Sequence, residues 1–389
     1  MDITELKKLI IDEAEAQRER LTKLSLKIHA HPETGFNEVQ ASGWLTEYLA
    51  EMGFTIEVGI CGFTTAFRAS YGRGKPSIAL LAEYDALPDL GHACGHNIIA
   101  VSAVGAAIAA RTVIDRLGGS IMVIGTPAEE LYGGKVVMAE QGAFSDIDAA
   151  LMVHPGGRDT AVTYALACQN VDFEFFGRPS HAAASPEAGI NALEAMILAF
   201  NAINSLRQHI RDKSRVHGII TDGGQVANIV PAHSAGTFIV RAEDNNYLDE
   251  LKEKVLKCFE GAAQATGARL EYRWADIRYA AMRNNLALAG LFKQNMESLG
   301  RQFHLDDPDA TFGSTDMGNV SQVVPSIHAR VAIVPPEIPI HTPQFAEAAA
   351  SEAGSRGLLD SAKALAMTAA DLIASPELLS EVRAEFGKH

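Results

Sequence analysis

The sequence predicts an α/β protein, a doubly wound and mostly parallel sheet interrupted by a smaller inserted β-α-β-β-α-β unit. Three observations predict it. Strands and helices alternate to about residue 167, as they do when helices cover both faces of a parallel sheet. Near residue 170 the texture changes to the apolar–acidic alternation Val171-Asp172-Phe173-Glu174-Phe175, which suits a half-solvated strand. From about residue 282 the helix-and-loop texture returns. The predicted division is 1–168 with 282–389 for the larger domain and 169–281 for the insertion.

In order along the chain, Leu6, Ile10, Leu21, Leu24 and Ile28 recur at helical spacing, so residues 3–28 read as one long surface helix. His31-Pro32-Glu33-Thr34-Gly35 ends it. The apolar runs Ser77–Ala82, Ser120–Gly125 and Ala149–Val153 read as buried strands, and Ile98–Ala110 as a buried helix. In the insertion, strands are expected near 171–175, 215–221, 235–242 and 268–274, with helices near 189–209 and 247–266. That order is the ferredoxin-like arrangement. Its exposed edge strands favour pairing with a second copy, so a homodimer is expected.

The chain has 389 residues, 47% of them apolar, which is enough for two domains of ordinary size. The net charge of −15, from 33 basic against 48 acidic residues, argues against nucleic acid or an anionic membrane as the main partner. The N-terminus lacks the apolar core of a signal peptide, and no run approaches eighteen apolar residues, so no membrane span is expected. Cys61, Cys94, Cys168 and Cys258 are sparse and far apart, which suits a reducing cytoplasm better than a disulfide framework.

Three segments each present metal-binding residues beyond a buried strand: His92-Ala93-Cys94-Gly95-His96, Glu129-Glu130, and His154 in Met152-Val153-His154-Pro155. Ligands in open α/β sheets bind beyond the carboxyl ends of strands. A thiolate, imidazoles and carboxylates at one sheet edge suit zinc or a similar cation. A structural zinc site would use a closed set of four ligands, typically paired C-x-x-C motifs; none is present, so an open catalytic site fits better. Glu129-Glu130 follow Gly125-Thr126-Pro127-Ala128, and divided labour explains them. Glu130 binds metal, while Glu129 takes a proton from the attacking water and later protonates the leaving amine. His341, in Ile340-His341-Thr342, completes the set with His154. Asp85, before Pro88, either orients a ligating imidazole, ligates directly, or is a turn acid. In the insertion, His181 and Asn228 are candidate donors to an oxyanion. Arg241 is a candidate bidentate grip on a substrate carboxylate. For these three, plain structural roles in the insertion remain the alternative.

These segments resemble the dinuclear metallopeptidase family of aminoacylases, glutamate carboxypeptidases and indole-acetyl-amino-acid hydrolases. The likeness runs from His29-Ala30-His31-Pro32-Glu33-Thr34-Gly35 to Ile340-His341-Thr342. It is nearest to the aminobenzoyl-glutamate hydrolase and β-alanyl-lysine (Xaa-Arg) dipeptidase branch, through 83–88, 91–97, 125–130, 215–220 and 313–321. The resemblance implies a zinc-peptidase fold with an inserted lid that also dimerises. It implies two divalent metals at Cys94, His96, Glu130, His154 and His341, zinc first with manganese, cobalt or nickel as alternatives, and Glu129 as base. His181 matches a lid histidine that reaches the partner subunit's site, and Asn228 and Arg241 match lid substrate contacts. Two departures stand out: Glu83 replaces the His of a His-x-Asp pair, and Asn97 stands where related hydrolases have Asp.

The expected activity is hydrolysis of the amide bond of an N-acyl or aminoacyl amino acid with a free carboxylate. One rival makes Cys94 a covalent nucleophile, for which His96, two residues away, is a poorly placed base. The other is a non-catalytic ligand-binding protein on the same fold.

Overall fold

The computed structural model describes residues 2–306 and 313–388. Its strands are β1 (Thr55–Val58), β2 (Phe67–Arg73), β3 (Ser77–Ala82), β4 (Gly119–Gly125), β5 (Ala149–Gly156), β6 (Ala167–Phe176), β7 (Arg215–Asp222), β8 (His233–Ala242), β9 (Arg269–Tyr279) and β10 (Ser326–Ala332). They form a six-stranded sheet in the order β1-β2-β4-β3-β5-β10 and a four-stranded sheet in the order β7-β8-β6-β9.

In the larger sheet β3, β4, β5 and β10 are parallel, as the strand–helix alternation predicts. The sheet as a whole is mixed, because β1 and β2 run antiparallel at one edge. The link between them, residues 59–66, is too short for the crossover of a dozen or more residues that a parallel pair needs. Every residue of β3 is buried, which accounts for the unbroken apolar run at 77–82.

The chain divides into two compact units. One holds Met1–Tyr164, Asn319–His389 and the stretch opening at Met282; the other holds Ala165–Ala281 and the short segment closing at Gly318. That last segment, expected with the larger domain, groups with the smaller unit instead. Leu166 N–H donates to Gly313 O at 2.8 Å, and Arg241 Nη1 donates to Ser314 Oγ at 2.6 Å.

Two expectations about helices are corrected. The N-terminal region is two helices, Ile3–Ala16 and Arg18–His29, broken at Gln17; each keeps its apolar face, so the spacing alone does not show the break. The helix His96–Leu117 is longer than the 98–110 run, and its mean hydropathy of 1.8 is high enough to cross a membrane by length and composition. Alanines make the difference, because they raise the average without forming a conspicuous run of large apolar residues. Within the structure 89% of that apolar window is buried, with the helix packed against the Ala-rich helix Glu352–Ala374 and β3.

The smaller unit has the ferredoxin-like order, with every pairing antiparallel. Val171, Phe173 and Phe175 are buried while Asp172 is exposed, so the alternation in the sequence is a two-faced strand. The helices Ala192–Leu206 and Asn245–Thr266 share that core, where Phe173 stacks on Phe259 with ring centres 4.1 Å apart. Burial of each such ring is worth roughly 1.5–3 kcal/mol. Asn191 and Asp244 cap these helices through their side chains.

Candidate metal centre

Four chain turns in the larger unit place the candidate ligands. Between β3 and the helix His96–Leu117, Gly95 adopts φ +74°, and a Cβ there would lie 2.4 Å from Pro155 Cγ. Only glycine fits, so Cys94 and His96 are delivered on either side of a residue with no side chain. After β4, Ala128 is left-handed (φ 62°) and launches the short helix Glu129–Tyr132. His154 lies near the end of β5. His341 is also left-handed (φ 64°), and its N–H donates to Ala93 O at 2.9 Å, which ties the C-terminal loop to the Cys94 loop. A left-handed non-glycine residue costs of order 1–3 kcal/mol and persists where its surroundings hold it, often at functional sites.

These turns bring Cys94, His96, Glu129, Glu130, His154 and His341 together. Cys94 Sγ lies 3.5 Å from His154 Nε2 and 3.4 Å from His341 Nε2. His341 Nε2 lies 3.4 Å from Glu130 Oε2, and His96 Nε2 lies 3.7 Å from Glu130 Oε1. Two donors sharing one zinc-like ion at ordinary bond lengths stand about 3.3–3.7 Å apart, so all four spacings suit donors gathered around a metal. His96 Nε2 and Glu130 Oε1 are buried and have no hydrogen-bond partner among the described residues; unsatisfied buried polar atoms of this kind call for a ligand. Donor atoms of Cys94, His96 and His154 lie within 4.8 Å of one another, as do those of Cys94, Glu130 and His341, and those of His96, Glu129 and Glu130. The donor set therefore fits a metal pair.

Asp85 holds the ligands from behind. Its Oδ1 accepts from His96 Nδ1 at 2.9 Å, and its Oδ2 accepts from Glu130 N–H at 3.0 Å. Of the roles open to it, orientation is the one this geometry supports, since both carboxylate oxygens are engaged and Nε2 of His96 is left for a metal. His154 Nδ1 donates to Pro155 O at 2.6 Å, which likewise leaves its Nε2 as the acceptor.

The electrostatics favour positive charge at the centre. Burial alone would lower the pKa of His96, but the Asp85 carboxylate, Cys94 and Glu83 outweigh it and hold it well above the ordinary value. Burial would raise Glu130, yet the His341 hydrogen bond and the His96 charge bring it down to about 2. His154 is pushed down to about 3 by burial and by His96, so it is neutral. Burial raises the Cys94 thiol. A set that draws a proton onto a fully buried imidazole has the charge balance a dication would satisfy.

Apart from Glu83, noted in the sequence only as a departure from a His-x-Asp pair, the further residues that contribute here are not marked by the sequence. Glu83 and Lys135 form a buried ion pair (Nζ to Oε1 2.6 Å). His328 on β10 is buried with its ring 5.6 Å from that of His154. Glu38 is buried; it accepts from Ala128 N–H at 2.8 Å and from Thr65 Oγ1 at 3.0 Å, and so holds the turn that presents Glu129 and Glu130. None stands in a spacing pattern that marks it, although Glu83 shares the Glu83-Tyr84-Asp85 strand end with Asp85.

Burial pushes Glu38 up to about 7 from its ordinary 4.5. Between those values the folded protein keeps a proton that the unfolded chain releases. This group's contribution to stability is therefore full below the unfolded value and is lost as pH rises through the folded one. Glu38→Gln keeps one acceptor oxygen, turns the other position into an N–H donor as in the protonated acid, and removes the titration. In urea unfolding, its stability relative to wild type is expected to improve by roughly 1–3 kcal/mol between about pH 5 and about pH 8. A difference independent of pH would exclude this account.

The other candidates lie in the smaller unit. His181 Nδ1 accepts from Ala183 N–H (3.2 Å) and Ala184 N–H (3.1 Å), so its proton is on Nε2, and the side chain is exposed. Asn228 adjoins it, with its carbonyl accepting from Ala182 N–H at 3.0 Å. Arg241 lies on β8 against Ser314.

Comparison with known proteins extends this picture. The model of peptidase family M20/M25/M40 matches residues 79–362. The chain is 40% identical to the Xaa-Arg dipeptidase of Mus musculus, over 97% of this chain and 90% of that protein. It is 31% identical to a p-aminobenzoyl-glutamate hydrolase polypeptide of Escherichia coli (strain K12), over 98% of this chain and 95% of that protein. Among solved structures, a Bacillus subtilis protein described as a dinuclear metal binding peptidase from the M20 family aligns with a TM-score of 0.73 at 20% identity, covering 92% of this chain and 99% of that one.

Proposed function

Because the chain belongs to peptidase family M20/M25/M40 and is a hydrolase, we propose that it is a two-metal dipeptidase. It would cleave the amide bond between an aminoacyl or acyl group and an amino acid with a free carboxylate. The observation that carries this is the convergence of Cys94, His96, Glu130, His154 and His341 with Glu129 beside them. The Bacillus subtilis neighbour's description as a dinuclear metal binding peptidase supports two ions. The 40% identity to an Xaa-Arg dipeptidase supports a dipeptide with a basic C-terminal residue, and the net charge of −15 favours the approach of such a cation.

Cys94, His96, Glu130, His154 and His341 would hold the ions. Bound there, zinc or a similar dication acidifies water toward a pKa of about 7 and polarises a carbonyl. Glu129 takes the proton from the attacking water and delivers it to the departing amine. In the smaller unit, His181 Nε2–H and Asn228 are proposed as oxyanion donors and Arg241 as the carboxylate grip. The same reading includes a reducing cytoplasm and a homodimer paired through the smaller unit. Ile219 and Ile220, exposed on edge strand β7, support the pairing, and sedimentation velocity tests it.

The nucleophile reading gains one observation, since Cys94 Sγ lies near two imidazoles other than His96. Against it, Cys94 is buried and its thiol pKa is raised, whereas an attacking thiolate needs a lowered one. One experiment separates the two. Hydrolysis of Xaa-Arg and Xaa-Lys dipeptides, p-aminobenzoyl-glutamate and N-acyl amino acids is measured with zinc, manganese, cobalt or nickel, before and after chelation. Activity on a dipeptide that chelation abolishes and metal restores is the expected result. Chelator-resistant activity blocked by a thiol reagent would overturn the metal reading, and no turnover on the whole panel with metal loaded would favour a binding protein.

A further inference from the structure

Resting on the metal pair proposed above, we propose that Glu83 is a sixth protein ligand, on the ion held by His96, and that Lys135 is the positioning residue that aims it. The pairwise spacing between the other donors holds for Glu83 too: it has a donor atom within 4.8 Å of one on Glu129, and its Oε2 lies 3.6 Å from His96 Nε2. That is too long for a hydrogen bond and right for two donors on one ion. Glu83 and Lys135 are 1% and 0% exposed. Lys135 Nζ engages Oε1, while Oε2 has no hydrogen-bond partner among the described residues.

A buried ion pair alone does not explain this arrangement. Replacing such a pair with neutral groups of similar shape is often neutral or stabilising, and a carboxylate with one oxygen unused is incompletely satisfied. Both features follow if Oε2 is a ligand and Lys135 offsets the extra negative charge. Local structure shows how Lys135 gets there. Gly133 is left-handed (φ +60°), and a Cβ on Gly134 would lie 2.0 Å from Pro127 O. The chain thus folds tightly back after the Glu129–Tyr132 turn, and Lys135 points inward at Glu83. At the position where many relatives of the resembled family carry the His of a His-x-Asp pair, this chain supplies a carboxylate and a lysine to hold it.

The test reads metal binding rather than turnover. The full-length protein is loaded with cobalt(II), and the two affinities are measured by competition with a chromophoric chelator. The thiolate-to-cobalt absorption band reports whether Cys94 still holds cobalt. Glu83→Gln alone would strand a buried ammonium, so the main variant is Glu83→Gln with Lys135→Met, its folding checked by circular dichroism. One affinity is expected to fall by about tenfold or more, with the other ion and the thiolate band retained. Two affinities within about twofold of wild type would overturn the assignment. An anomalous-scattering map of the metal-loaded wild type decides without any variant. An ion within about 2.5 Å of Glu83 Oε2 supports the assignment, and a distance beyond about 3 Å overturns it. If both ions bind but Glu83 stands apart, only the Glu83 role fails; if the wild type takes up no metal, the two-metal reading fails with it.

Discussion

Glu129→Gln is expected to lower kcat by about 10²- to 10⁴-fold, the usual range for a general acid–base residue, with metal content and KM nearly unchanged. Glu129 has a donor atom within 4.8 Å of donors on both His96 and Glu130. A carboxylate there reaches a water molecule between itself and the centre without having to be a ligand. Glutamine keeps the shape and the hydrogen-bonding oxygen but cannot hold the proton between its abstraction from water and its delivery to the amine. The loss should therefore appear in kcat, and metal analysis of the same sample should match wild type. If turnover stays within a few-fold of wild type, another group is the base. If metal is lost along with activity, Glu129 is a ligand and the division of labour with Glu130 is wrong.

Cys94→Ala is expected to have the largest effect on metal binding. Cys94 Sγ belongs to two of the donor groups, one with His96 and His154 and one with Glu130 and His341, so a single change removes a ligand from both. Even residues that only orient ligands cost about 10–100-fold in affinity when removed, so losing a shared ligand should cost more for each ion. A ligand that binds only the folded state raises its stability with concentration. Added zinc should thus raise the wild-type Tm and leave that of Cys94→Ala nearly unmoved. Because Cys94 is a small buried side chain, the variant should still fold, and circular dichroism confirms that before the titration. An equal zinc-induced rise in both proteins would remove Cys94 from the ligand set and with it the proposed convergence.

Much of this centre is legible in local sequence because its ligands stand beside strong punctuation. Gly95 separates Cys94 from His96, Pro127 precedes the two glutamates, and Pro155 follows His154. Each lies beyond a run, Ser77–Ala82, Ser120–Gly125 or Ala149–Val153, that is a buried strand in the structure. The smaller unit is legible for a similar reason: Val171, Phe173 and Phe175 alternate with acids because one face of β6 is packed and the other is wet. Less legible are the features set by partners distant in the chain. The break at Gln17 leaves the apolar spacing almost intact. The antiparallel edge made by β1 and β2 depends on how short their link is. Glu38 reaches Ala128 across 90 residues, and no periodicity marks it.

The sequence by itself determined the fold class, the inserted unit and the chemistry of the donor set, because burial pattern and turn residues act over a few neighbouring positions. Only the tertiary structure decided which donors share an ion, that both oxygens of Asp85 are engaged, and that Lys135 is turned inward onto Glu83. Those are matters of ångströms between side chains from different strands and turns, and interactions that act at hydrogen-bond or coordination distance carry no signature in linear spacing.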